Sequence, residues 1–286
     1  MTLPHPTLAS AVEAGLGASV VAMRRVQGGD VAEAFRCDLG DGRTVFAKTH
    51  QRPRPDFFAT EAAGLAWLRA SEAVAVPEVL LVGERHLVLE WIDEGRGTAS
   101  TEVDLGRALA ALHRSGAPCF GREDRRRTGS LGVPNEPCDS WPDLYGAQRL
   151  APLAAIARDR GALPDAAIAG LEHLAGRLAE VGGPPEPAAR LHGDLWAGNR
   201  LVDRDGRSWL IDPAAHGGHR EFDLAMMRLF GGYGADCFAA YHEAFPLADG
   251  WQDRVALHQI APLVVHAIKF GGTYVPTATQ AIAQYR

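Results

Sequence analysis

The chain has 286 residues, 47% hydrophobic and 22% charged, with a formal net charge of −6. That length accommodates one large domain or two lobes, and the acidic balance excludes a general electrostatic affinity for nucleic acid. The start Met1-Thr-Leu-Pro-His-Pro6 lacks the basic and apolar regions of a secretory signal, and no run approaches the roughly 18 apolar residues of a membrane span.

Cys37, Cys119, Cys138 and Cys237 lie far apart with no C-x-x-C, so they read as reduced thiols rather than a zinc site or disulfide framework. A cytoplasmic chain, with no membrane and no obligate protein partner, is expected.

In chain order, Leu8, Val12 and Leu16 space a helical lead-in that Gly15 and Gly17 end. Extended patterns follow at 19–26 and 31–39, interrupted by Gly28-Gly29-Asp30, and Asp41-Gly42 is a tight hairpin signal before the strand 43–49. A Gly28-Gly29 turn lets backbone N–H groups approach a phosphate with no Cβ in the way. The strand that follows carries Lys48, and the only other lysine is Lys269. In a chain that uses arginine for nearly all its basic charge, neither lysine is a casual choice.

Residues 57–70 form an amphipathic helix bearing Glu61, and in kinases a strand lysine that grips phosphates pairs with a glutamate on the next helix. Strands at 79–82 and 86–92 complete a five-stranded half. The second runs into the linker Asp93-Glu-Gly-Arg-Gly97, so backbone groups of Glu90, Trp91 and Ile92 are placed to bond an adenine edge. The expected division is a nucleotide-binding lobe at 1–92 and a catalytic, acceptor-binding lobe at 93–286.

The remainder reads mainly helical. Thr101-x-x-Asp104 resembles a capping box, His113 a helix-end or packing residue, and Arg122–Arg127 a solvated basic loop within the irregular stretch 118–142. Helical patterns occupy the chain from Asp143 and again from Leu171 to Val181, until Gly182-Gly-Pro-Pro-Glu-Pro187 stops them.

Next comes His192-Gly-Asp-Leu-Trp-Ala-Gly-Asn199, followed by a strand at 201–203, an Asp205-Gly206 turn, a return strand at 209–211 and Asp212-Pro213. A hairpin folds its ends together, which should bring Asp194, Asn199 and Asp212 to one place. That is the kinase order H-R-D-x-x-x-x-N then D-F-G: Asp194 accepts a hydroxyl proton, while Asn199 and Asp212 hold Mg²⁺ against ATP. Here Gly193 replaces the arginine, and Asp212-Pro213 replaces D-F-G. Trp196, two residues beyond the base, is placed to stack on a sugar face. His219, Glu221 and Asp223 read as structural. The short interval before the helix at 224–230 leaves little room for a peptide-docking segment, so a small or protruding acceptor is expected.

These motifs, with Glu221-x-Asp-Leu-Ala-Met226, Leu229-Phe-Gly-Gly232 and Phe270-Gly-Gly272, resemble the fructosamine kinase (ketosamine-3-kinase) family of the aminoglycoside-phosphotransferase-like branch. The resemblance implies a bilobal α+β protein-kinase-like fold, ATP as donor, and a sugar hydroxyl of a free or protein-linked ketosamine as acceptor. A kinase for another small alcohol (aminoglycoside, choline or homoserine) and a nucleotide-binding pseudokinase are the competing readings; the intact Lys48, Asp194, Asn199 and Asp212 oppose the latter. Members under redox control carry a cysteine after the Gly-Gly pair, where this chain has Asp30.

Overall fold

The computed structural model describes residues 3–26 and 32–285, so Gly28 and Gly29 lie outside the described residues. The chain divides into two compact units, one of residues 1–98 with 201–213, the other of 99–200 with 214–286.

The first unit opens with helix α1 (Pro6–Leu16), closed by Gly17 in the left-handed region at φ 68°. Strands β1 (Val20–Val26), β2 (Glu33–Leu39) and β3 (Thr44–Thr49), helix α2 (Phe57–Arg69), then β4 (Val79–Val82) and β5 (His86–Glu90) follow. The strands form the expected five-stranded antiparallel sheet, in the order β1-β2-β3-β5-β4. Alternation along β3 turns Val45 and Ala47 into a core with Leu8, Val12, Phe35 and Val88, and therefore turns Lys48 to the opposite face. Each large side chain buried there contributes about 1.5–3 kcal/mol.

The first unit also takes in the short hairpin of β9 (Arg200–Val202) and β10 (Ser208–Leu210). Gly95 N–H donates to the Val202 carbonyl (2.8 Å) and Leu210 N–H to the Ala75 carbonyl (2.9 Å), which ties this late segment to the early sheet's flank.

The second unit is mainly helical. Helix α3 (Thr101–Arg114) begins one residue away from the expected capping box: Ser100 is the N-cap, it makes no side-chain cap bond, and Thr101 is buried inside the first turn. Two short strands, β6 (Arg127–Thr128) and β7 (Val133–Pro134), pair within the irregular stretch. Arg122 is not solvated as expected but 5% exposed, held by Asp124.

A π-helical segment (Asp143–Leu150) leads into α4 (Ala151–Asp159), and α5 (Asp165–Ala175) and α6 (Leu178–Val181) replace the single helix expected there. Then come β8 (Ala189–Leu191), β9 (Arg200–Val202), β10 (Ser208–Leu210), β11 (His216–Gly218), α7 (Glu221–Leu229), α8 (Ala235–Ala244), α9 (Trp251–Phe270) and α10 (Tyr274–Ala283). β8 pairs with β11, so the segments on either side of the hairpin are joined.

Helix α9 carries Pro262 in its interior, which removes the N–H that would bond the His258 carbonyl. The buried Tyr145 hydroxyl compensates, 3.1 Å from that carbonyl and 2.8 Å from that of Leu257. No described helix is long and apolar enough to cross a membrane.

Candidate active site

In the first unit, β3 delivers Lys48 and α2 delivers Glu61. The ammonium lies 2.5 Å from Glu61 Oε1 and 2.6 Å from Asp212 Oδ1. Asp212 follows β10 with φ 51°, a left-handed conformation that an aspartate tolerates at modest cost.

Three ionisable groups thus meet, two of them largely out of water. Burial opposes the charge on Lys48, but the adjacent carboxylates outweigh it and hold its pKa above the usual lysine value. Burial, with Asp212 adding repulsion, pushes Glu61 up to about 8 against the pull of Lys48. The trio therefore carries net negative charge once Glu61 ionises, and Asp212 is its accessible member, 37% exposed against 13% for Glu61 and 10% for Lys48.

The residues expected at the adenine edge are partly committed. Glu90 N–H donates to the Glu78 carbonyl (2.9 Å) and so is taken by the sheet. The Trp91 indole N–H donates to Asp93 (3.0 Å), with the Arg36 guanidinium 5.1 Å from its ring centre. Ile92 is buried.

In the second unit, the stretch 192–199 leaves β8 and turns at Gly193, whose φ is 81°. A Cβ built on Gly193 would lie 2.2 Å from the Ala214 carbonyl oxygen, so no side chain fits where the kinase motif has arginine. The turn is pinned from below by the fully buried Asp223, which accepts from His192 N–H (2.7 Å) and Gly193 N–H (2.9 Å). His113 Nε2 stands 3.3 Å from the same carboxylate, and its Nδ1 is 2.8 Å from the Tyr241 hydroxyl. Burial works to raise Asp223, yet these donors hold its carboxyl below the usual aspartate value.

Asp194 N–H donates to His192 Nδ1 (3.2 Å), which makes His192 a loop-fixing residue. The Asn199 amide nitrogen donates to the Asp194 carbonyl (2.8 Å) and carboxylate (3.1 Å), joining the two ends of the motif. The amide oxygen of Asn199 takes no part in these two bonds. Trp196 is 39% exposed, with the Phe230 ring 6.0 Å away, edge to face.

Sequence reasoning missed three supports. Arg200 pairs with Glu102 at 2.7 Å, the Tyr233 hydroxyl donates to the Trp196 carbonyl (3.2 Å), and His113 buttresses Asp223 instead of merely packing. The position of Arg200 directly after Asn199 was the available signal for the first.

In the first unit Asp212 offers a carboxylate oxygen, and in the second Asn199 offers an amide oxygen; each is a ligand type that Mg²⁺ takes. His219, Glu221 and His258 also bring potential ligand atoms within 4.8 Å of one another. There, however, Glu221 is gripped twice by the Arg254 guanidinium (2.5 and 2.9 Å), so the cluster is a buried polar support.

Comparison with known proteins places the chain among similar sequences and structures. The fructosamine kinase family model matches residues 6–286. A candidate ketoamine kinase of Synechocystis sp. is 34% identical over 91% of this chain and 89% of its own length. The chloroplastic protein-ribulosamine 3-kinase of Arabidopsis thaliana is 29% identical over 95% of this chain and 84% of its own. The crystal structure of a candidate fructosamine-3-kinase from Thermobifida fusca superposes with a TM-score of 0.90 at 39% identity, covering 98% of both chains. An aminoglycoside phosphotransferase, APH(2'')-IIa in its ternary complex with streptomycin and ATP, shares the fold at TM-score 0.70 and 14% identity, over 99% of this chain and 97% of that one.

Proposed function

The chain belongs to the fructosamine kinase family, and from that premise we propose that it phosphorylates the 3-hydroxyl of a ketosamine with ATP, a deglycation-type repair step. The observation that carries this reading is the buried Lys48 ammonium held between Glu61 and Asp212. A lysine so placed is pre-oriented toward phosphate oxygens.

Each side chain then has a task. Lys48 neutralises phosphate charge, Glu61 holds Lys48 in place, and Asn199 and Asp212 hold Mg²⁺. When bound, Mg²⁺ offsets charge on the β- and γ-phosphoryl oxygens. The backbone of Glu90–Ile92 meets the adenine; since Glu90 N–H is already used, its contribution would be a carbonyl. Asp194 orients the sugar hydroxyl and takes its proton as the oxygen attacks the γ-phosphorus. The bond to the β–γ bridging oxygen breaks, and ADP leaves. The exposed indole of Trp196 supports the sugar's C–H face. In this reading residues 1–92 serve the nucleotide and 93–286 the acceptor, with Asp212 as the late residue recruited to the nucleotide. The four free cysteines suit a reducing, cytoplasmic setting.

A screen of ADP release against ketosamines, choline and aminoglycosides tests the proposal. Ketosamines should give turnover, and Asp194→Asn should abolish it while ATP binding persists. Turnover only with an aminoglycoside or choline would overturn the acceptor class. A variant within tenfold of wild type would remove Asp194 from the chemistry.

A further inference from the structure

We propose that an exposed aromatic ridge running from Trp196 to Phe270 binds the amine-side substituent of the ketosamine, and that Lys269 recognises a carboxylate on that substituent. The inference rests on the acceptor class proposed above and narrows it.

Trp196, Phe230 and Phe270 are 39%, 43% and 52% exposed. The only other large hydrophobics so exposed among the described residues are Val21 and Val82, which lie on edge strands of the sheet. The three aromatics are not scattered. Ring centres step from Trp196 to Phe230 in 6.0 Å, from Phe230 to His266 in 5.4 Å, and from His266 to Phe270 in 5.5 Å. Tyr274 flanks His266 at 4.9 Å. A continuous apolar strip of this kind marks a place where a ligand loses water.

The strip is also pre-organised. A Cβ on Gly198 would sit 2.1 Å from the indole of Trp196, so the bare glycine lets that ring lie flat on the loop. His266 Nδ1–H donates to the Pro262 carbonyl (2.7 Å), which fixes the ring at the ridge's middle. Rigid aromatic surface binds with little loss of side-chain entropy.

The chemistry of the acceptor selects the occupant. In a ketosamine the amine is on C1, two carbons from the hydroxyl at C3. With the sugar on Trp196, close to Asp194, the amine substituent leaves the reacting centre within one residue's breadth and continues over the adjoining surface. That surface is the ridge. At its far end the Lys269 ammonium lies 4.8 Å from the Phe270 ring centre, exposed and with no ion pair among the described residues. An apolar path ending in an unpaired cation fits an alkyl chain ending in a carboxylate, as on a ketosamine formed from a free amino acid.

The test compares KM for three ketosamine adducts, those of methylamine, hexylamine and 6-aminohexanoate. KM should fall roughly 5- to 10-fold from the first to the second, as apolar contact is added, and roughly 3- to 10-fold again for the third. Lys269→Gln should erase the preference for the carboxylate, and Phe270→Ala should shrink the preference for the longer chain. Both positions are exposed, so melting curves should match wild type. Equal KM for all three adducts would overturn the ridge while leaving the ketosamine assignment intact, as would a carboxylate preference that survives Lys269→Gln. If no adduct is phosphorylated but another alcohol is, the assignment fails and the ridge with it. A dimer in solution that Phe270→Ala dissociates would make the ridge a self-association face and overturn the proposal.

Discussion

Lys48 and Asp212 form their 2.6 Å contact across 164 positions of sequence, and the ammonium is the hub of the proposed nucleotide site. Its two carboxylates differ in what they can do. Glu61 is the less accessible of the two at 13% exposed, whereas the 37% exposed Asp212 can meet a cation as well. Asp212→Ala should therefore weaken Mg·ATP binding on the order of 100-fold while changing the affinity for metal-free adenosine only a few-fold. Calorimetry with both ligands checks this, and equal losses would make Asp212 a structural residue. Lys48 would keep Glu61 as partner in the variant, so no bare buried charge is created.

At the scale of elements, the proposed catalytic loop is shaped from below by α7 and from beside by the chain at Ala214. Asp223 in the first turn of α7 bonds two successive loop N–H groups, and the Gly193 φ of 81° follows from that arrangement. Gly193→Ala adds a methyl 2.2 Å from the Ala214 carbonyl oxygen in a conformation costly for alanine. The backbone strain amounts to roughly 1–3 kcal/mol, and a loop displaced by even about 1 Å loses roughly 100-fold in turnover. The expected outcome is a fall in kcat of that order with ATP affinity within a few-fold of wild type. An unchanged kcat would show that the loop accommodates the methyl without moving Asp194.

At the scale of the molecule, acid is the expected weakness. Burial would raise Glu221, but hydrogen bonding outweighs it and lowers its pKa from 4.5 to about 2. His258, whose Nε2 lies 3.4 Å from the carboxylate, and the two bonds from Arg254 carry that lowering. Burial holds His219 at about 4, below its usual 6.5. A depressed carboxyl contributes stability above its unfolded value that is lost as pH falls through the folded one. A histidine buried neutral likewise resists the proton it must take on acidification. Both terms therefore erode downward, His219 between about 6.5 and 4 and Glu221 between about 4.5 and 2, each worth on the order of 3 kcal/mol. Melting temperature should fall steadily below pH 6.5. Glu221→Gln should melt lower at pH 7, because Arg254 loses its partner, and should lose less than wild type below pH 4.5. A variant curve parallel to wild type would exclude Glu221 as an acid trigger.

Local pattern carried much of this protein. Strand alternation, Asp-Gly turns and helical spacing placed the sheet, α2 and the β9–β10 hairpin to within a few residues, because such signals depend on neighbours in sequence. The motif from His192 to Asp212 is legible for the same reason: its residue types and spacing are local. What sequence left open was decided by groups distant along the chain. Thr101 lies inside the first turn of α3 instead of at its cap, and the buried Arg122 guanidinium reaches the Ala215 carbonyl (3.4 Å), 93 positions away, instead of being solvated, because packing overrode a short-range preference. His113 reads as an ordinary helix-end residue until α7 brings Asp223 within 3.3 Å of it. The aromatics of the ridge come from three separate segments, and no periodicity joins Trp196 to Phe230 or Phe270. Their contact, like the convergence of Lys48 and Asp212, exists only once long-range packing has closed the chain on itself.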